Sequence, residues 1–241
     1  MATNFQMTFA QRTVSFYNSL DLQLPDSLET QVLNPYKNQE VKKCVADFCS
    51  KYFSDEKKRI FILGINPGRF GSGLTGISFT DPVALREYCG IKNNFGNKRE
   101  LSSEFIYKMI EAYGGVKKFY TDFFISAVCP LGFMKSPTPA LPKGEGVRNY
   151  NYYDDKKLQN AVLPFIKRTF KQQIEIGASN KALIVIGADK NRKFVETLNE
   201  ETKYFKKIIA LDHPRFIMQY RRKKVDAYIE QYLLAFSEIN F

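Results

Sequence analysis

Several residues of this sequence are of types that could do chemistry, and the first group sits in residues 64–79, GINPGRFGSGLTGISF. If a strand ends at Ile65, the Asn66 amide lies at its tip, where it could orient a water. Pro67 stiffens the turn, and Gly68 removes a side chain where something must approach the backbone. Phe79 lies far enough on to return across a pocket and offer a flat stacking face, with Gly64, Ile65 and Phe70 around the same turn. An Asn-Pro-Gly turn over a buried phenylalanine fits the same residues, and the sequence leaves both readings open.

The only histidine, His213, stands in LDHPRFIMQYRRKK. A lone histidine is commonly structural or exposed, but this one follows an apolar run and precedes Pro214 and Arg215. Phe216, Ile217 and Met218 then form an apolar tip that could wedge into a base stack; burial in the core is the rival reading. Arg221, Arg222, Lys223 and Lys224 are expected to open the next helix. Cations at a helix N-terminus oppose the macrodipole by ~0.3–1 kcal/mol each, so phosphate contact is the better reason for them. A third segment, residues 130–153, is rich in proline and glycine and reads as a long functional loop. Its Arg148, Tyr150, Tyr152 and Tyr153 interleave charge with aromatic faces, as single-strand binders do, although surface tyrosines fit equally.

The net charge of +11 is uneven. Residues 1–59 hold eight basic and seven acidic side chains, whereas residues 181–224 hold twelve basic against five acidic. That asymmetry points to one face for a polyanion, because neutralising phosphates releases counterions; a merely solvated basic surface is the rival reading. The four cysteines contain no CxxC pair, so a metal site is not expected and the thiols read as reduced and buried. Residues 71–76 formally match GxGxxG, but they begin six residues after the strand and lack the acidic partner of a dinucleotide fold, so no cofactor is expected. No apolar run reaches the ~18–20 residues of a membrane span, and no leader pattern is visible. A soluble, cytoplasmic, monomeric protein is the expectation.

Positioning these residues falls to strands predicted at 59–65, 123–129, 182–187 and 208–212, near-continuously apolar as in a sheet covered on both faces. Thr8 and Gln11 form a possible capping box, Ser102 precedes a helix stopped by Gly114-Gly115, and residues 225–236 repeat apolar residues at helical spacing. The alternation implies an α/β fold, a three-layer α/β/α sandwich around a mostly parallel four-stranded sheet, with residues 1–241 as one domain. Sites in such folds lie beyond the carboxyl ends of the strands, where all three segments fall.

FILGINPGRFGSGLTGISF resembles the first motif of the single-strand-selective monofunctional branch of the uracil-DNA glycosylase superfamily, and His213-Pro214 resembles the start of the second. The resemblance implies a water-positioning Asn66, a space-making Gly68, a base-stacking Phe79 and a catalytic His213, acting on a damaged base in single- or double-stranded DNA without metal or cofactor. A donor aimed at the anion of the departing base acts on charge that develops only in the transition state, where one such donor is worth ~10²–10³ in rate. The match breaks at FFISAVCPLGF: the family has a histidine–asparagine pair whose amide reads the pyrimidine edge, and this chain has Ser126-Ala127. Uracil is therefore the leading substrate, with hypoxanthine or xanthine open. A non-catalytic nucleic-acid-binding module on the same fold is the alternative.

Overall fold

A computed structural model describes residues 6–135 and 147–239. The strands are β1 (Thr30–Leu33), β2 (Arg59–Gly64), β3 (Phe123–Ala127), β4 (Gly132–Lys135), β5 (Arg148–Tyr150), β6 (Ala178–Ile186) and β7 (Ile208–Leu211). The first helices are α1 (Phe9–Asn18), α2 (Gln39–Tyr52), α3 (Ser72–Thr75), α4 (Pro82–Glu87) and α5 (Leu101–Tyr113). After them come α6 (Val116–Asp122), α7 (Lys156–Gly177), α8 (Lys190–Thr202), α9 (Pro214–Tyr220) and α10 (Val225–Ser237). No helix among the described residues is long and apolar enough to cross a membrane.

The four predicted strands form one parallel sheet in the order β3-β2-β6-β7. Successive strand residues face opposite sides, and β3 shows what covers each. Phe124 meets Phe9 of α1 and Phe53 beyond α2, while its neighbour Phe123 meets Phe119 of α6, Tyr113 of α5 and Phe236 of α10. The sheet is thus the middle layer of three, with helices packed on both its faces. Every residue of β2 and β3 is buried.

Local signals set the helix ends. Thr8 Oγ1 accepts the Gln11 N–H at 3.2 Å and Gln11 Oε1 accepts the Thr8 N–H at 2.8 Å, completing the capping box of α1. Gly114, at φ 116°, ends α5. The long loop at 130–153 is corrected: it holds β4 and β5, and β4 pairs antiparallel with β1 on one side and with β5 on the other, a second sheet of order β1-β4-β5. Residues 136–146 of that segment lie outside the described residues.

The start of β2 is anchored by Arg59, a buried cation. Its guanidinium lies over the rings of both Phe9 and Phe53, donates to both oxygens of Asp55 at 2.9 and 3.0 Å, and reaches the Tyr120 carbonyl at 2.8 Å. Asp55 itself is 39% exposed. Breaking a buried pair from one side costs about 3–5 kcal/mol, and the exposure of Asp55 places Asp55→Ala near the lower end. Urea unfolding should show a lower midpoint for this variant; an unchanged midpoint would mean that the backbone carbonyls alone satisfy Arg59.

Candidate active site

At the carboxyl ends of the sheet a cavity of about 320 Å³ opens. Its floor is the β2–β3 pair, whose register places Gly64 beside Ala127. Gly64 has a steric reason to be glycine: a Cβ there would stand 2.7 Å from the Phe79 ring. The turn that returns Phe79 is self-bonded, with the Thr75 hydroxyl donating to the Thr80 carbonyl at 2.6 Å and the Thr80 hydroxyl paired with Tyr107 at 3.0 Å. Phe79 sits at φ 52°, a left-handed conformation that costs a non-glycine residue about 1–3 kcal/mol. That turn holds the strained ring on the cavity wall.

His213 caps α9. Its Nδ1 accepts the Arg215 N–H at 3.1 Å, and its ring lies 5.7 Å from that of Phe79, centroid to centroid. Burial, reinforced by the Arg215 charge, pushes the imidazole down to about 4, so it is neutral at physiological pH. Because a backbone N–H must donate, Nδ1 is the bare nitrogen and the ring proton sits on Nε2. The histidine therefore presents a neutral N–H donor beside a stacking ring, in the wall of the same cavity.

Asn66 also lines the cavity but is less free than its sequence position suggests. Its Nδ2 donates to the Tyr150 carbonyl at 3.2 Å and its Oδ1 accepts the Tyr152 N–H at 3.1 Å, tying the first sheet to the second. One amide hydrogen and one lone pair remain. Tyr152 is correspondingly buried and bonded to Asn191 at 2.8 Å, so it is core and not an exposed stacking face.

Two expectations are corrected. Ile217 and Met218 are 0% and 2% exposed, because the helical phase of α9 turns them inward against the core, and they cannot wedge into DNA. Phe216 stays at 39% exposure and is joined by Tyr220 at 60%, rings 5.7 Å apart, with the Arg221 guanidinium 5.3 Å above Phe216. The run of cations leads into α10 without forming its first turn: Arg222–Lys224 form a 3-10 turn after α9 and Lys224 is the N-cap of α10, all four side chains exposed, with Arg222 3.6 Å from Glu104.

Of the remaining sequence candidates, Ile65, Pro67 and Gly68 line the cavity. Phe70 and Arg148 do not. They line an adjoining space of about 440 Å³ with Arg69, Arg99 and Arg215, where Lys98 lies 3.5 Å over the Phe70 ring. Arg215 borders both spaces.

A family model described as the uracil DNA glycosylase superfamily matches residues 50–237. The chain belongs to the uracil-DNA glycosylase superfamily. A solved structure of wild-type SMUG2 from Pedobacter heparinus is 42% identical, covers 97% of this chain and 98% of its own, and superposes with a TM-score of 0.90. No curated protein matches. The chain is a DNA glycosylase, a hydrolase of N-glycosyl bonds that takes DNA as substrate in base excision repair.

The glycosylase also carries polar groups at the cavity that the motifs did not single out. Glu100, just before α5, borders both spaces. Its N–H donates to buried Asp81, which also caps α4. Burial pushes its carboxyl up to about 7, against the pull of Arg215 and with a further push from Asp81. Between the ordinary 4.5 and about 7, the folded chain holds a proton that the unfolded chain has lost. Stability therefore falls as pH rises through that window and is level above it. Glu100→Gln removes this dependence. Its Tm should gain on wild type between pH 4.5 and 7 and keep a constant lead above; a pH-independent difference would contradict the raised carboxyl.

Proposed function

We propose that this glycosylase is monofunctional and hydrolyses the N-glycosidic bond of a flipped-out deaminated base, uracil first, with hypoxanthine or xanthine also admitted. The observation that carries the reading is the neutral His213 with its proton on Nε2 beside the Phe79 ring. A flipped base stacks on Phe79. As the bond from C1′ to the base nitrogen breaks, its electron pair leaves with the base, and His213 Nε2–H donates to the base oxygen where charge gathers. Asn66 uses its spare hydrogen and lone pair to hold the water that adds to C1′. That water's proton goes to the departing base, so no lysine adduct forms and the strand stays whole.

Ala127 supports the wider substrate range. It is buried at the cavity floor and bears no side-chain donor or acceptor. A buried asparagine there would be left unpaired by any base with the wrong edge, at about 1–3 kcal/mol; alanine imposes no such filter. Extrusion adds selectivity, since a mispaired base is the cheapest to flip. On the outside, Phe216 with Tyr220 forms the wedge, and Arg148, Arg215 and the 221–224 cations meet phosphates.

Single-turnover assays on oligonucleotides carrying uracil, hydroxymethyluracil, hypoxanthine or xanthine test the proposal. The expected products from uracil and at least one deaminated purine are free base and an alkali-labile abasic site, with no direct strand cleavage. His213→Ala should be slower by at least ~10² with the fold intact; near-normal excision by that variant would remove the histidine from the mechanism.

A further inference from the structure

With Ala127 at its floor, the cavity lacks the amide that would read a base there, yet two polar side chains with spare hydrogen-bonding capacity among the described residues line another wall. Asn149, on β5, gives its Oδ1 to the Arg69 N–H at 3.1 Å, and its Nδ2 has no hydrogen-bond partner among the described residues. The Glu100 carboxylate likewise accepts no hydrogen bond among the described residues; Arg215 and Asp81 are its charged neighbours. Both side chains converge on the empty space beside Gly68. The point where a Cβ at 68 would stand is 3.2 Å from Glu100 Oε1 and 3.3 Å from Asn149 Nδ2. Gly71 makes room for the same carboxylate, since a Cβ there would collide with Glu100 Oε2. Gly68 thus leaves open a space bordered by an acceptor and a donor, in the cavity that holds Phe79 and His213.

We infer that Glu100 and Asn149 are the base-reading pair of this enzyme, replacing the amide that is absent at Ala127. The inference rests on the glycosylase reading given above. Deamination supplies its chemistry. Uracil, hypoxanthine and xanthine each present a ring N–H beside a carbonyl, where cytosine and adenine present a bare ring nitrogen beside an amino group. A carboxylate that accepts the ring N–H, next to an amide N–H that donates to the carbonyl, fits the first edge. Against cytosine or adenine the same pair sets lone pair to lone pair and hydrogen to hydrogen. Leaving buried polar groups unpaired in this way is what gives hydrogen-bonding sites their selectivity. The edge is common to pyrimidine and purine products, so one pair serves both ring sizes. Guanine and thymine show the same edge and must be refused by other means, such as the cost of extrusion from a sound pair.

The test uses two near-isosteric variants of the whole chain. Asn149→Asp keeps an oxygen for the Arg69 N–H and loses the donor; Glu100→Met keeps the length of the side chain and loses the acceptor. Single-turnover excision of uracil and hypoxanthine is measured at pH 8, alongside Kd for DNA holding an abasic-site analogue and a thermal melt of each variant. The inference expects each variant to excise both bases at least tenfold more slowly, with Kd for abasic DNA within twofold of wild type and the melt cooperative. It further expects that adding Ala127→Asn to Asn149→Asp returns several-fold activity to uracil and less to hypoxanthine. Variants that match wild type on both bases, or that lose abasic-site binding in step with excision, would overturn it. A wild-type chain inactive on every base would instead overturn the glycosylase reading, and this inference with it; an active wild type with unaffected variants sinks the inference alone.

Discussion

The cavity depends on a close approach that only glycine permits. Phe79 lies against the carboxyl end of β2 because position 64 has no Cβ, and any larger residue would collide with the ring. The parallel register then brings Ala127 alongside, and the return of the chain through the Thr75–Thr80 bonds holds Phe79 in a left-handed conformation. Strain of this kind persists only where the surroundings over-determine it. Here they do: two fully buried threonines, a strand pair and a neighbouring imidazole fix one ring in one place.

Two ionisable groups are tuned in opposite senses by the same burial. His213 is driven neutral, which leaves its Nε2–H a donor across the whole physiological range, and its tautomer is chosen by a single backbone N–H at the start of α9. Glu100 is driven towards its neutral form yet has no compensating hydrogen bond among the described residues, so its presence costs stability at neutral pH. A side chain kept at such a cost beside the cavity has a role in binding as its simplest reason. Asn66 does double duty. It holds the second sheet against the first and keeps spare capacity facing the site.

The parallel sheet and the places of Asn66, Phe79 and His213 were legible in the sequence because β-branched and aromatic runs mark buried strands and sites follow their carboxyl ends. The second sheet was not. Its strands are three or four residues long and come from segments far apart, so no alternation accumulates in any one of them. Glu100 was hidden for a related reason: it reaches the cavity from beyond the first motif, and only the fold reveals that Gly68 and Gly71 make way for its carboxylate. For Ile217 and Met218 the wedge expectation failed on phase. Helical spacing pairs Phe216 with Tyr220 on one exposed face, four residues apart, and the intervening Ile217 and Met218 must then turn inward.

The central claim is that a neutral, preorganised histidine donor faces the stacking ring, and the chain offers an uncluttered way to test it because His213 is its only histidine. Ring-nitrogen NMR of the ¹⁵N-histidine-labelled protein across pH 5–8 should show one imidazole, in the tautomer protonated at Nε2, without a titration step. Protonation should begin only as pH approaches about 4. A full titration centred near the ordinary 6.5, or a ring protonated at Nδ1, would contradict the account.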